Sequence, residues 1–289
     1  MDKKELEQLI ESNGLGSVSK ALLNLSRDSI RITTDNKNDE NINIGRSKFG
    51  GRPDVPQGFL WPQNDAGQPL YFICQLNLNE VKPFDLSDLL PSSGILSFFY
   101  DALEQPWGYD PNDKNGFRIL FFSQEPSQLI RIEEPTIFLE QGTFGSCELN
   151  YISEVCLPPW ESPFIDNLNL DQEKSDNYFE LQQQLTGQAV QDGLIHRIQG
   201  YPDNIQGDMY LECQLVTNGL YCGDGTGYNN PARNELEKGV YDWILLLQID
   251  SEEEIGFMWG DVGRLYFWIR EKDLKEKNFE NPWVILQCG

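Results

Sequence analysis

Residues 51–58 read GRPDVPQG and residues 200–207 read GYPDNIQG, a shared pattern GxPDxxQG with five identities in eight positions. Each octet is followed by an apolar run that carries a glutamine near its end, YFICQLN at 71–77 and WILLLQID at 243–250. Each copy then reaches a glycine that opens a second apolar run, GILSFFY from Gly94 and GRLYFWI from Gly263. Three matches in one order are the mark of a supersecondary unit present twice. The reading is therefore an internal duplication of two halves, 46–165 and 196–289, within a single domain spanning 1–289. A helical segment and loop over 1–45 precede the first half, and a connecting helix over 166–195 joins the two.

Residues around each octet specify local structure. Lys4 to Ser12 carries Leu6, Leu9 and Ile10 on one helical face, with Asp2 placed to cap it. A second helix is expected from about Ser17, and the polar run 33–43 is expected to be an exposed loop. The stretches 71–76 and 95–100 are near-continuous apolar runs of strand length, with a short helical stretch at 85–90 between them. Further strands are expected at 118–122 and 136–139, and a hairpin or long surface loop at 106–116. Residues 171–187 have helix formers ending in a glycine. The second copy has a longer interval between octet and glutamine, which implies an insertion that includes CGDGTGYNNPARNE at 222–235, expected as an exposed loop.

The 289 residues include 46 acidic and 22 basic side chains, a formal charge of −24. That charge repels nucleic acid and anionic membranes and leaves two readings, a plain solvated acidic surface or the electrostatic capture of a basic protein. The amino end carries charges throughout, and no stretch reaches the about 18 uninterrupted apolar residues of a membrane span. A cytoplasmic address is expected, with Cys74, Cys147, Cys156, Cys213, Cys222 and Cys288 reduced.

Motifs for catalysis are scarce. His196 is the single histidine, so no two-histidine metal site exists, and a packed or capping role is expected for it. No CxxC pair appears, and GDGTG at 223–227 lacks the GK[ST] of a phosphate loop. DPNDKNG at 110–116 departs from the EF-hand register and reads as a solvated turn. No cofactor and no metal are expected. The repeated polar apparatus remains: Gly51, Pro53, Asp54, Gln57 and Gln75, and Gly200, Pro202, Asp203, Gln206 and Gln248. Glycine and proline two apart fix a turn, the aspartate can accept backbone amides, and a strand-end glutamine offers both donor and acceptor. These groups either hold the turns or rim a ligand site between the copies. In FMWGDVGRLYFW at 257–268, Trp259 and Asp261 are candidate anchors for a partner, set against core packing and turn capping.

The stretches GGRPDVPQGFLWP, CQLNL, LPSSGILSFFY, GYPDNIQGD, WILLLQIDS and WGDVGRLYFWI resemble, in order from about Ser47 onward, the bacterial YwqG family, a domain of unknown function. The resemblance implies an α+β fold of two related sheet-containing halves, packed around a pseudo-twofold, with no catalytic residues to carry over. It also implies an association with polymorphic toxin systems and hence an immunity-like role. The expectation is a non-enzymatic, cytoplasmic binding protein that engages a cationic protein. The alternative is a small-ligand receptor or enzyme using a cleft between the repeats, with Asp54, Asp203, Gln57 and Gln206 as contacts.

Overall fold

The computed structural model describes residues 1–189 and 193–289. Its strands are β1 (Arg27–Asn36), β2 (Lys48–Gly50), β3 (Asp54–Pro56), β4 (Tyr71–Asn77), β5 (Ile95–Tyr100), β6 (Phe117–Phe122), β7 (Leu129–Arg131), β8 (Ser146–Cys156), β9 (His196–Ile198), β10 (Trp243–Asp250), β11 (Arg264–Arg270) and β12 (Trp283–Gln287). Ten of them form one nearly closed sheet in the order β12-β11-β10-β9-β1-β8-β2-β4-β5-β6, antiparallel throughout. The small strands β3 and β7 pair separately. The fold is mixed α+β.

The long pair β1 and β8 occupies the middle of the sheet, with Arg27 opposite Cys156 and Asn36 opposite Cys147. β2 lies beside β8 and β9 beside β1, so the strand entering each octet sits next to this pair. β4 and β10 follow outward, then β5 and β11, then β6 and β12. β4, β5 and β10 are buried along their whole length, which is why they read as continuous apolar runs rather than alternating ones. β1 and β8 alternate instead, Ile30, Ile32, Leu149 and Tyr151 facing the core and Arg31, Asn150 and Ile152 facing out. The interior is continuous across the sheet, Phe98 of β5 meeting Phe267 of β11 edge-on at 5.1 Å.

At the amino end, Asp2 caps the helix Lys3–Ser12 through a reciprocal capping box with Glu5. Leu6 and Ile10 of that helix join Leu22, Leu157, Tyr178 and Leu181 in a separate apolar cluster. Tyr178 and Leu181 belong to the helix Gln172–Ala189. The expected connecting segment runs on through residues 190–192, which lie outside the described residues.

Three local expectations are corrected. The expected loop at 33–43 is strand as far as Asn36, because pairing with the long β8 holds a polar tail that has too few apolar positions to signal it. The helical turn expected at 85–90 comes earlier, at Leu78–Val81 and Lys82–Phe84. Asn77 caps it by accepting from the Asn79 amide at 3.0 Å, while the Asp85 carboxylate accepts from the Leu90 amide at 2.9 Å and folds 85–90 as a loop. The strand expected at 136–139 is helical over Phe138–Gln141, with the Phe138 ring stacked on Tyr71 at 4.0 Å. The segment expected as a loop at 222–235 carries the short helix Gly225–Tyr228 and the start of another, Arg233–Leu236.

Candidate functional site

The two octets build two polar corners from the same hydrogen bonds. In the first, Gln75 Oε1 accepts from the Asp54 amide at 2.9 Å, and Gln75 Nε2 donates to Asp54 Oδ2 at 2.7 Å and to the Arg46 carbonyl at 2.7 Å. In the second, Gln248 Oε1 accepts from the Asp203 amide at 2.9 Å, and Gln248 Nε2 donates to Asp203 Oδ2 at 3.1 Å and to the Ile195 carbonyl at 2.8 Å. The backbone agrees: Gly50 and Gly51 have φ of 56° and 66°, and Gln199 and Gly200 have 59° and 74°. Two successive left-handed residues reverse the chain as it leaves β2 or β9, which aims the following aspartate back at the glutamine.

A largely buried cation serves each corner. Arg131 grips Asp54 with Nε to Oδ1 at 2.8 Å and Nη2 to Oδ2 at 3.1 Å. Arg197 meets Asp203 Oδ2 at 3.1 Å and Glu154 Oε1 at 3.3 Å. Lys48, the residue of β2 that corresponds in the octet register to Arg197, is fully buried and pairs with Asp39 at 2.6 Å. Burial pulls the Lys48 ammonium below the usual lysine range despite the nearby Asp54 and Asp39 charges. Burial alone would raise Asp39, but the hydrogen bond and charge of Lys48, with Arg131 and Arg52, hold its carboxyl below the usual range. Beside them Glu134 is pushed up to about 7 by burial and then by repulsion from Asp39.

These bonds occupy the Asp54 carboxylate and both glutamine amides within the protein. Pro53 and Pro202 are buried, and Gln57 and Gln206 are exposed outside the corners. β2 and β9 stand three strand spacings apart, about 14 Å before any offset along the strands.

Trp259 is fully buried, with Nε1 donating to the Asp250 carbonyl at 3.2 Å. This corrects its expected place at a partner surface: the aromatic alternation buries the indole, and the exposed apolar groups of that turn are its neighbours Met258 and Val262. Asp261 is exposed, and its carbonyl accepts from the Gly289 amide at 3.2 Å. Met258 and Val262 line a cleft of about 610 Å³ together with Asp250, Glu252, Glu253 and Glu254. Asp250 is neutralised by Arg264 at 3.0 Å. No ion pair involves Glu253, Glu254 or Asp261 among the described residues.

His196 is buried, its Nδ1 accepting from the Asp250 amide at 3.0 Å. That bond places its proton on Nε2, which lies 3.5 Å from Glu252 Oε2. Its ring packs on Phe49 at 5.0 Å. All six cysteines are unpaired and buried, and burial raises the Cys147 thiol far above its ordinary value. A buried thiol of this kind is chemically inert. Among the described residues no group of three or more His, Cys, Asp or Glu side chains is arranged to hold a metal, and no helix is long and apolar enough to cross a membrane.

The two sheet edges, β6 and β12, face each other. Trp283 meets Phe117 edge-on at 5.5 Å, Phe279 meets Phe121 at 5.6 Å, and the loop after β5 seals part of the seam. In that loop the Trp107 carbonyl accepts from the Leu286 amide at 3.0 Å, and the Gly108 carbonyl from Trp283 Nε1 at 2.7 Å. The remaining gap is a cleft of about 890 Å³. Sequence reading did not find it, because its walls come from segments far apart in the chain.

No curated protein matches this chain. Residues 47–288, from just before the first octet almost to the carboxyl end, match the family model described as Domain of unknown function (DUF1963), and the chain belongs to that family.

Proposed function

We propose that the chain is an internal duplication that acts as a cytoplasmic, non-enzymatic binding protein for a cationic protein partner. The duplication is supported by the mirrored strand order about β1 and β8 and by the matching bonds of Gln75 and Gln248. In this reading a pseudo-twofold passes between β1 and β8, with β9 beside β1 and β2 beside β8 in equivalent places.

One observation carries the binding role. Exposed Met258 and Val262 share a cleft with Glu253 and Glu254, and exposed Asp261 adjoins Val262 in the chain; among the described residues none of these three carboxylates has an ion-pair partner. Many of the basic side chains are engaged in ion pairs within the fold, including Lys48, Arg131 and Arg197. The surplus negative charge therefore stands on the surface, and an apolar centre with an acidic rim suits a basic partner bearing an apolar anchor. Neutralising a cationic effector, as an immunity protein does, is the form of this role that the sequence resemblance favours. Capture from the protein's own cells at low salt, run in parallel with a Met258→Glu/Val262→Glu variant, tests it. A basic protein held by the parent and released by the variant is expected; no retained protein, or equal retention by both, refutes the reading.

A further inference from the structure

The seam cleft between β6 and β12 inverts the charge of the rest of the molecule. Lys114, Arg118, Arg270 and Lys277 line it against the single carboxylate of Glu280. Among the described residues none of these four cations is ion-paired, although the chain has about twice as many acids as bases. Among the described residues the other basic side chains without a carboxylate partner are Lys3, Lys4 and Lys20 near the amino end and Arg27, which lies over the Tyr201 ring at 4.4 Å. Among the described residues, half of the uncompensated cations thus converge on one cleft. With so many carboxylates available, pairing would be the ordinary outcome for an arginine at a sheet edge.

The cations are also held in place by neutral groups. Arg118 Nη2 donates to Asn115 Oδ1 at 2.9 Å, and its Nη1 to the Lys114 carbonyl at 3.1 Å. The Arg270 guanidinium stacks over Trp243 at 4.8 Å, and the Lys277 ammonium lies over Phe121 at 5.9 Å. Aromatic faces and amide oxygens orient a cation without cancelling its charge. The walls between them are apolar, formed by Phe117, Phe121, Phe279 and Trp283 among others. The volume falls within the range of about 300–1,000 Å³ usual for small-molecule sites.

We infer that this seam is a binding site for a small organic anion, a phosphate or carboxylate head carried on an aromatic or apolar body. Arg118, Arg270 and Lys277 receive the head, and the aromatic walls receive the body. The inference is independent of the acidic cleft and of any protein partner. It places a ligand where the two edges of the sheet meet, so occupancy closes the seam.

Titration of the full chain with 1-anilinonaphthalene-8-sulfonate, an aromatic sulfonate, tests it, with neutral N-phenyl-1-naphthylamine as the uncharged control. Saturable one-to-one binding that quenches tryptophan emission is expected, since Trp243 and Trp283 line the cleft. Arg118→Ala and Lys277→Ala are each expected to weaken binding about tenfold, and the neutral control to bind about tenfold more weakly. Lys20→Ala should bind as the parent does. Displacement by phenyl phosphate assigns a phosphate head, and displacement by benzoate a carboxylate head. Near-ultraviolet circular dichroism confirms the fold of each variant, and the exposed Lys277 and Lys114 carry the test if Arg118→Ala does not fold. Absence of saturable binding, or equal binding by the parent and the Lys277→Ala variant, overturns the inference.

Discussion

A single glutamine does three tasks at each corner, and its removal defines the energetics there. Gln75→Ala leaves the Asp54 amide and the Arg46 carbonyl without their partners in a buried place. The expected loss is about 2–4 kcal/mol, read from urea denaturation. Gln248→Ala should lose a similar amount, since it orphans the Asp203 amide and the Ile195 carbonyl. A loss at one corner only would show that the two are not equivalent. Carboxyl groups give a second test at this scale. Glu212, whose Oε2 lies 3.5 Å from the Tyr228 hydroxyl, is pushed up to about 7 by burial. A carboxyl raised in the fold favours the protonated native state, so its contribution is full below its ordinary value of 4.5 and is lost as pH rises through about 7. Glu212→Gln should therefore stabilise the protein on the order of 2 kcal/mol at about pH 8 and change little near pH 4. Denaturant titrations at the two pH values check the sign.

At the scale of elements, the turn leaving β9 depends on a glycine for two separate reasons. Gly200 has φ of 74°, and a Cβ there would come within 2.6 Å of Cys156 Sγ and 2.7 Å of Ser29 Cβ. Gly58 also has positive φ, at 84°, but a Cβ on it would meet nothing within 4 Å. Gly58→Ala is expected to cost about 1 kcal/mol from backbone strain alone, and Gly200→Ala about 3 kcal/mol or more, because overpacking adds to the same strain. Thermal unfolding of the two variants separates the contributions; equal losses would mean that the turn after β9 yields at no cost. The octet could be read as a turn because glycine, proline and aspartate have fixed conformational habits. The fate of 33–43 could not, because a strand with a polar outer face is stabilised by its partner β8 rather than by its own residues. Residues 136–139 misled for a related reason: Phe138 is buried by stacking on Tyr71, a contact that apolar periodicity cannot reveal.

For the whole molecule, charge and the shared interior set the behaviour. A formal charge of −24 on one core makes the folded state self-repelling at low ionic strength. Raising NaCl from about 0.02 M to about 0.5 M is expected to increase the midpoint of thermal unfolding by roughly 3–5 °C as the repulsion is screened. Calorimetry that gives a falling midpoint would mean that favourable ion pairs, such as those around Asp39, outweigh the net repulsion. The same scan bears on cooperativity: Phe98 and Phe267 pack across the interior, so both halves should unfold in one transition.

The sequence by itself determined the two corners, the buried strands that follow them and the acidic surplus, because turn residues, continuous apolar runs and formal charge act locally or simply add. It also placed Asp54 with Gln75 and Asp203 with Gln248 in one apparatus, although the separation of the two corners was invisible in it. Tertiary structure alone decided that β1 and β8 pair in the middle of the sheet, that Trp259 turns inward while Met258 and Val262 turn out, and that unpaired cations meet aromatic walls at the seam. Strand pairing and the meeting of two sheet edges join residues more than a hundred positions apart, and no local preference of a chain encodes which of its distant segments will close against each other.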